Sequence, residues 1–192
     1  WAPRRATVVY DGWVETAGDG LELRGTTRGT VDVVGRFTVS RESLNHDFGL
    51  VQEVGEWRVS APPEGVLLSS YIFARSYSSV RSYFMARSGQ GVVPEPLHLP
   101  TSEITPGRIV EAQLAGPGIF LSSGVRNAIP GGTKLGTAGA AVDSSGVVTV
   151  ALEGVPQGLG DVERRELGAQ LLWSLSSIPK VSGLHLVVDG RP

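Results

Sequence analysis

The sequence predicts an α+β chain built as two domains, and three observations lead there. The first half is written in strand residues, with Val, Thr and aromatic side chains in short runs broken by Gly, Asp or Asn. Helical signals come later, after Thr105 and around Asp161, where apolar residues take helical spacing. The 26 glycines and 12 prolines add many turn positions, which favours short strands over long helices. A length of 192 residues fits one large domain or two small ones of roughly 80 to 110 residues each. Two domains are expected, residues 1–78 and 79–192, with the boundary falling between Pro63 and Val80.

Taken in order, the strands of the first domain are expected at Ala6 to Glu15, Leu21 to Arg24, Thr30 to Val39 and Phe48 to Val59. Gly18-Asp19-Gly20 reads as a hairpin turn. Within the last run a Gly55-Glu56 turn precedes Trp57 and Val59, which alternate with Arg58 and Ser60 as in a half-buried strand stopped by Pro62-Pro63. From Ser69 to Ser79 the chain is aromatic and apolar, and Tyr71, Phe73 and Tyr77 line either a short helix or a connecting strand. Those rings must be buried somewhere, which argues against a flexible linker and for burial between the domains. They are also the first place to look for an exposed interaction hot spot.

In the second domain Val80 to Met85 alternates cleanly, Gly89-Gln90-Gly91 turns, and Val92 to Leu99 returns. Pro94 and Pro96 remove ladder donors, so the return strand is expected at an edge. Thr105 as N-cap and Pro106 at the first helical position open a short helix that Gly116-Pro117 stops. Strands follow near Val125 to Ile129, Lys134 to Val142 and Val147 to Leu152. Asp161 is the N-cap candidate of a second helix, with Glu163 and Glu166 in its first turns and Leu167, Leu171 and Leu175 at four-residue spacing. Pro179 ends it, and Leu184 to Val188 supplies a last strand.

Composition narrows the function classes. An apolar fraction of 41% with 19% charged residues is that of an ordinary globular protein. Net charge is −2 and the 17 basic residues form no run, so there is no electrostatic footprint for nucleic acid. The absence of Cys excludes disulfides and thiolate chemistry within this segment. No 18-residue apolar run or signal sequence is present, and the abrupt start at Trp1-Ala2-Pro3 reads as a fragment of something longer.

No residues in the sequence form a catalytic pattern. His46-Asp47 lies in what reads as a polar turn, SLNHDFG, and adjacent residues rarely face each other. His98 and His185 lack H-x-x-H or H-E spacing, so no metal is expected. Gly131-Gly132-Thr133-Lys134 has the wrong order for a phosphate loop, and Ser122-Ser123-Gly124 lacks the nucleophile elbow. Asp161, Glu163 and Glu166 are explained by capping and the helix dipole. Trp13, Trp57 and Trp173 are expected in cores, with Trp173 on the sheet-facing side of its helix.

Two linked segments carry a family resemblance. EAQLAGPGIFLSSGVRNAIPGGTKLG (Glu111 to Gly136), followed by GAQLLWSLSSIPKVSGLHLVVDGRP (Gly168 to Pro192), is similar to a GerMN domain, a small α/β module of extracytoplasmic bacterial proteins. The preceding EWRVSAPPEGVLLS (Glu56 to Ser69), with Phe73 and Tyr83-Phe84, resembles the region upstream of GerMN in the actinobacterial LpqB lipoprotein family. The β-rich first part resembles the curved sheet of an NTF2-like domain. The resemblance implies a curved, mostly antiparallel sheet, then a GerMN domain with two helices on a sheet of about four strands.

It further implies a full-length protein anchored to the extracytoplasmic face of the membrane by a lipidated N-terminal Cys and ending in a β-propeller. Neither the Cys nor the propeller is in this sequence, and the fragment itself is expected to be soluble. The family implies a non-enzymatic role, without cofactor or metal. Its partner there is the extracytoplasmic domain of the sensor kinase MtrB, of the MtrA and MtrB two-component system, in envelope homeostasis and cell division. The alternative is a small-molecule or cell-wall-fragment binding module that uses the cone-shaped N-terminal sheet.

Overall fold

The computed structural model describes residues 7–18, 20–60, 62 and 65–191. Trp1-Ala2-Pro3, Asp19 of the expected hairpin turn and Pro63 of the expected strand stop lie outside the described residues. The chain divides into two compact units, Trp1–Ser78 and Ser79–Pro192. It is an α+β protein with mostly antiparallel sheets.

The first unit is organised by one long hairpin. Strands β1 (Thr7–Ala17) and β2 (Gly20–Val31) pair antiparallel from Thr7↔Val31 to Ala17↔Gly20, with a bulge at Val9/Tyr10. Alternating residues Leu23, Thr27 and Val31 of β2 are buried, as is Val9 of β1. The expected strand Leu21 to Arg24 therefore runs on to Val31, through two glycines that read as breaks. Gly25 instead sits opposite Gly12, and a Cβ on either would lie 2.3 Å from a backbone oxygen of the other strand. Only glycine permits that approach.

The other strands use β2 and β1 as templates. β3 (Phe37–Val39) and β4 (Ser43–Phe48) both pair antiparallel with β2, and β7 (Val66–Ser69) pairs parallel with β1. The single strand expected over Thr30 to Val39 is broken because Asp32 folds back on its own backbone. Its Oδ1 accepts from the N–H groups of Val34 (3.0 Å) and Arg36 (2.8 Å). His46-Asp47 is no turn: it lies in β4 opposite Leu23 and Glu22, where the open edge of β2 overrides the turn propensity of Ser, Asn and Asp.

Strands β5 (Leu50–Glu53) and β6 (Glu56–Val59) pair with each other in a separate two-stranded ribbon. The turn falls on Val54 and Gly55, both with positive φ (50° and 83°), one residue before the expected Gly55-Glu56. Two left-handed residues give the primed turn whose twist suits a two-residue hairpin. All four β6 residues are exposed, so the expected half-burial fails. Alternation marks a strand, but burial also needs a second layer to pack against.

The second unit holds two three-stranded sheets in place of one sheet of about four strands. The first has the order β10-β8-β9, from β8 (Tyr77–Ala86), β9 (Val92–Pro100) and β10 (Val125–Arg126), which puts the proline-bearing β9 at an edge as expected. The second has the order β11-β12-β13, from β11 (Lys134–Val142), β12 (Val147–Glu153) and β13 (Gly183–Val188). β12 and β13 are parallel, so a crossover is required between them, and helix α3 (Asp161–Leu175) provides it. Helix α2 (Pro106–Leu114) precedes β10, with Thr105 Oγ1 accepting from Arg108 N at 3.4 Å. Leu167, Leu171 and Leu175 are all buried, each burial worth about 1.5–3 kcal/mol.

Several boundaries move for local reasons. Gly160, not Asp161, is the N-cap of α3, and its N–H donates to Glu163 Oε2 at 2.8 Å. The helix ends before Pro179, where Ser176 and Ser177 hydroxyls donate to Trp173 O and Ser174 O, both at 2.7 Å. The strand expected to reach Ile129 stops at Arg126, because Asn127 turns inward and its Oδ1 accepts from Ile129 N at 3.1 Å.

Asn127 belongs to a buried polar node between α2, α3 and β8. The Ser174 hydroxyl donates to Gln170 O (2.8 Å) and accepts from Tyr83 N (2.8 Å) and from Gln113 Nε2. Gln113 Nε2 also donates to Tyr83 O at 3.0 Å. Gln170 Nε2 donates to Asn127 Oδ1 (2.7 Å), its Oε1 accepts from Ala128 N (2.8 Å), and Asn127 Nδ2 donates to Gln113 O (2.8 Å). Gln113, Gln170 and Ser174 are fully buried, and such groups are tolerated only when paired.

Two outcomes test this account. Ser174→Ala leaves Tyr83 N–H and part of Gln113 unsatisfied and is expected to cost about 2 kcal/mol, read as a lower urea midpoint at unchanged slope. Gly12→Ala forces β1 and β2 apart and is expected to cost more than about 2 kcal/mol, with amide shifts concentrated around Arg24 and Gly25. A stability within ~0.5 kcal/mol of the parent in either variant contradicts the corresponding contact.

Candidate interaction surface

The segment that the sequence leaves open between helix and strand is a helix, α1 (Ser70–Ser76). Ser69 caps it, its hydroxyl accepting from Ile72 N at 3.3 Å. Asp11 of β1 accepts from the Ser70 hydroxyl and pairs with Arg28, which fastens the start of α1 to the sheet. The Ser70 hydrogen bond first and the Arg28 hydrogen bond second hold the Asp11 carboxyl below its ordinary range.

The three aromatic residues of this segment have different surroundings. Phe73 and Tyr77 are half-buried and come together, with ring centroids 4.7 Å apart and Phe37 of β3 at 5.8 Å from Phe73. Tyr77 Oη also lies 3.2 Å from Thr7 Oγ1. Tyr71 stands outside this group at 65% exposure, beside the exposed Ile72. The Arg75 guanidinium lies 5.3 Å over the Tyr71 ring, and its Nη1 donates to Tyr71 Oη at 3.0 Å. Tyr71 and Arg75 thus form a pre-set outward pair, and Phe73 and Tyr77 fix the helix beneath them.

The tryptophans expected in cores are at the surface: Trp13, Trp57 and Trp173 are 61%, 67% and 54% exposed. Trp13 is near the end of the β1–β2 hairpin and Trp57 is on the open ribbon. Trp173 follows Leu171 by two residues, about 200° around the helix, so the stripe that buries Leu171 turns Trp173 outward, where it meets Tyr83 at 5.8 Å. The sequence reading missed a further pair, Ile119 and Phe120, which are 83% and 81% exposed. Their loop is fixed from below: Gly118 N donates to Oε1 of the buried Glu95 at 2.7 Å, and Arg87 Nη2 donates to Ser122 O at 3.3 Å. The Gly116-Pro117-Gly118 turn signal just before an apolar pair was the available clue.

The titratable candidates do not converge. His46 is in β4, His98 in β9 and His185 in β13, and burial pushes the His98 imidazole below its usual range. Glu166 pairs with Arg126, Glu163 accepts from the Gly160 N–H, and Asp161 is exposed at the helix start. Among the described residues no three His, Asp or Glu side chains are grouped to hold a metal ion. Gly132 has a φ of 86° in the turn that feeds β11, and Lys134 is that strand's first residue.

Comparison with known proteins places the chain. Residues 81–192 match the family described as Sporulation and spore germination (Germane), and residues 1–74 match that described as Lipoprotein LpqB, N-terminal domain. The chain is 35% identical to Lipoprotein LpqB of Cutibacterium acnes over 99% of its length, and 30% identical to that of Thermobifida fusca over 100%. In both comparisons it spans 33% of the curated relative. Among solved structures, the first GerMN domain of the sporulation protein GerM from Bacillus subtilis aligns with a TM-score of 0.48 at 20% identity, covering 59% of this chain and 84% of that one. One match thus spans most of the first unit and the other nearly all of the second, and the chain belongs to the LpqB lipoprotein family, as its N-terminal domain followed by a GerMN domain.

Proposed function

We propose that this chain is the extracytoplasmic, non-enzymatic part of a lipid-anchored protein that binds and modulates the sensor kinase MtrB in envelope homeostasis and cell division. The observation that carries the reading is the similarity to lipoproteins LpqB along essentially the whole chain. Among the described residues no helix is long and apolar enough to cross a membrane, so the proposal assigns attachment to a lipid outside this segment. The scattered His and acid positions support a binding role over a catalytic one. The surface proposed for the kinase is the outward face of α1, where Tyr71 offers a large ring already oriented by Arg75. A side chain held in place before binding loses little entropy on association, and Tyr and Arg are frequent interface anchors.

Calorimetric titration of the chain against the purified extracytoplasmic domain of the kinase tests the proposal. Saturable binding is expected, with Tyr71→Ala weakening it roughly tenfold or more. If Tyr71→Ala binds normally and Phe120→Ser does not, the contact belongs to the Gly116–Gly124 loop. If neither this chain nor the longer protein binds, the kinase is not the partner.

A further inference from the structure

A cavity of about 540 Å³ opens in the C-terminal unit where the segment between β12 and α3 passes the end of β13. Its volume lies within the range of about 300–1,000 Å³ typical of small-molecule sites. The walls are apolar: Val155 and Leu167 are buried, and Leu159, Leu186 and Val188 are half-buried. Two arginines, Arg164 and Arg191, line the same opening. Among the described residues neither guanidinium has a hydrogen bond or ion pair, whereas those of Arg24, Arg28, Arg108 and Arg126 are all paired with carboxylates. The one acid of the lining, Asp189, is engaged from elsewhere, since its Oδ1 accepts from Gly154 N at 2.8 Å. The lining therefore carries two guanidinium charges and one carboxylate, a net positive charge of one, in a chain whose net charge is −2.

Positive groups beside an apolar hollow select a ligand with complementary parts. A carboxylate or phosphate accepts charge-assisted hydrogen bonds from guanidinium donors, which are stronger than those between neutral groups. An aliphatic tail gains by leaving water for the apolar walls. A neutral apolar molecule gains only the second term, and a free anion only the first. We infer that this cavity binds a small anionic amphiphile, its carboxylate or phosphate held by Arg164 and Arg191 and its tail against Val155, Leu167, Leu186 and Val188. The site is independent of the α1 surface, and its success or failure leaves the kinase proposal untouched.

The test is a set of amide-resolved NMR titrations of the whole chain with octanoate, octyl phosphate and octanol. Saturable shifts are expected over residues 155–159 and 186–191, with octanol weaker than the better anion by roughly tenfold or more. Tighter binding of octyl phosphate assigns the head as a phosphate, and tighter binding of octanoate assigns a carboxylate. The double variant Arg164→Gln/Arg191→Gln should bring the anions down to the affinity of octanol and leave octanol unchanged. Both arginines are exposed, so an unaltered spectrum elsewhere confirms that the variant is folded. Leu159→Trp, which narrows the opening, should weaken all three ligands. Equal binding of octanol and the anions overturns the inference. So do shifts confined to another surface, no saturation by any ligand, or an anion preference that survives loss of both arginines.

Discussion

Ser174 is the point on which the C-terminal unit depends. A hydroxyl has one proton to give and two lone pairs to receive, and here all three are used, on Gln170 O, Tyr83 N and Gln113 Nε2. The partners come from α3, β8 and α2, so one buried side chain fixes the mutual placement of three elements. Burial of apolar side chains such as Leu171, Ile109 and Phe84 supplies most of the driving force, but leucines and phenylalanines tolerate small slips in register. Hydrogen bonds in a water-free interior do not, since a slip leaves each group unpaired. The node therefore selects one packing of helices on sheet, and Asn127 extends that selection to the segment that follows β10.

The N-terminal unit meets the same need for uniqueness with backbone. Gly12 and Gly25 let two long strands approach where no Cβ fits, which ties the register of β1 against β2 to a single pairing. With that hairpin fixed, β2 presents its edge to β3 and β4 in turn, and β1 receives β7 on its other side. Asp11, one residue from the glycine pair, then receives Ser70 and sets the start of α1. The exposed position of Tyr71 thus follows, through few intermediates, from the glycine opposition.

Much of this was legible in the sequence and some was not, for physical reasons. Periodicity located α3 and its buried leucines, capping chemistry located the start of α2, and the prolines of β9 announced an edge, because each is a local signal with a local cause. The strand around His46 was hidden because Ser, Asn and Asp prefer turns, and only the distant edge of β2 outweighs that preference. Trp57 and Trp173 were misplaced because hydrophobicity reports what a side chain would gain by burial, not whether a layer exists to bury it. Of the three aromatic residues marked near α1, the spacing could not say which faced out, because helix and strand readings turn different residues to the same side. The arginines of the cavity left no sequence trace, lying apart in the chain and joined only by the crossover of α3.

α1 is held at its first turn by Ser69 and Asp11, with Phe37, Phe73 and Tyr77 in ring contact beneath, and the cavity is framed by α3, β13 and the segment between β12 and α3. Rigid placement favours binding, since affinity gained by contacts is lost again if groups must be ordered on association. The free positive charge supports the same view. Among the described residues Arg24, Arg28, Arg36, Arg58, Arg108 and Arg126 pair with neighbouring carboxylates. Arg164 and Arg191 do not, and two guanidinium groups beside buried aliphatic side chains are stabilised when an anion joins them. The two proposed surfaces differ in kind, one an aromatic face within the N-terminal unit and the other a charged, apolar hollow within the C-terminal one.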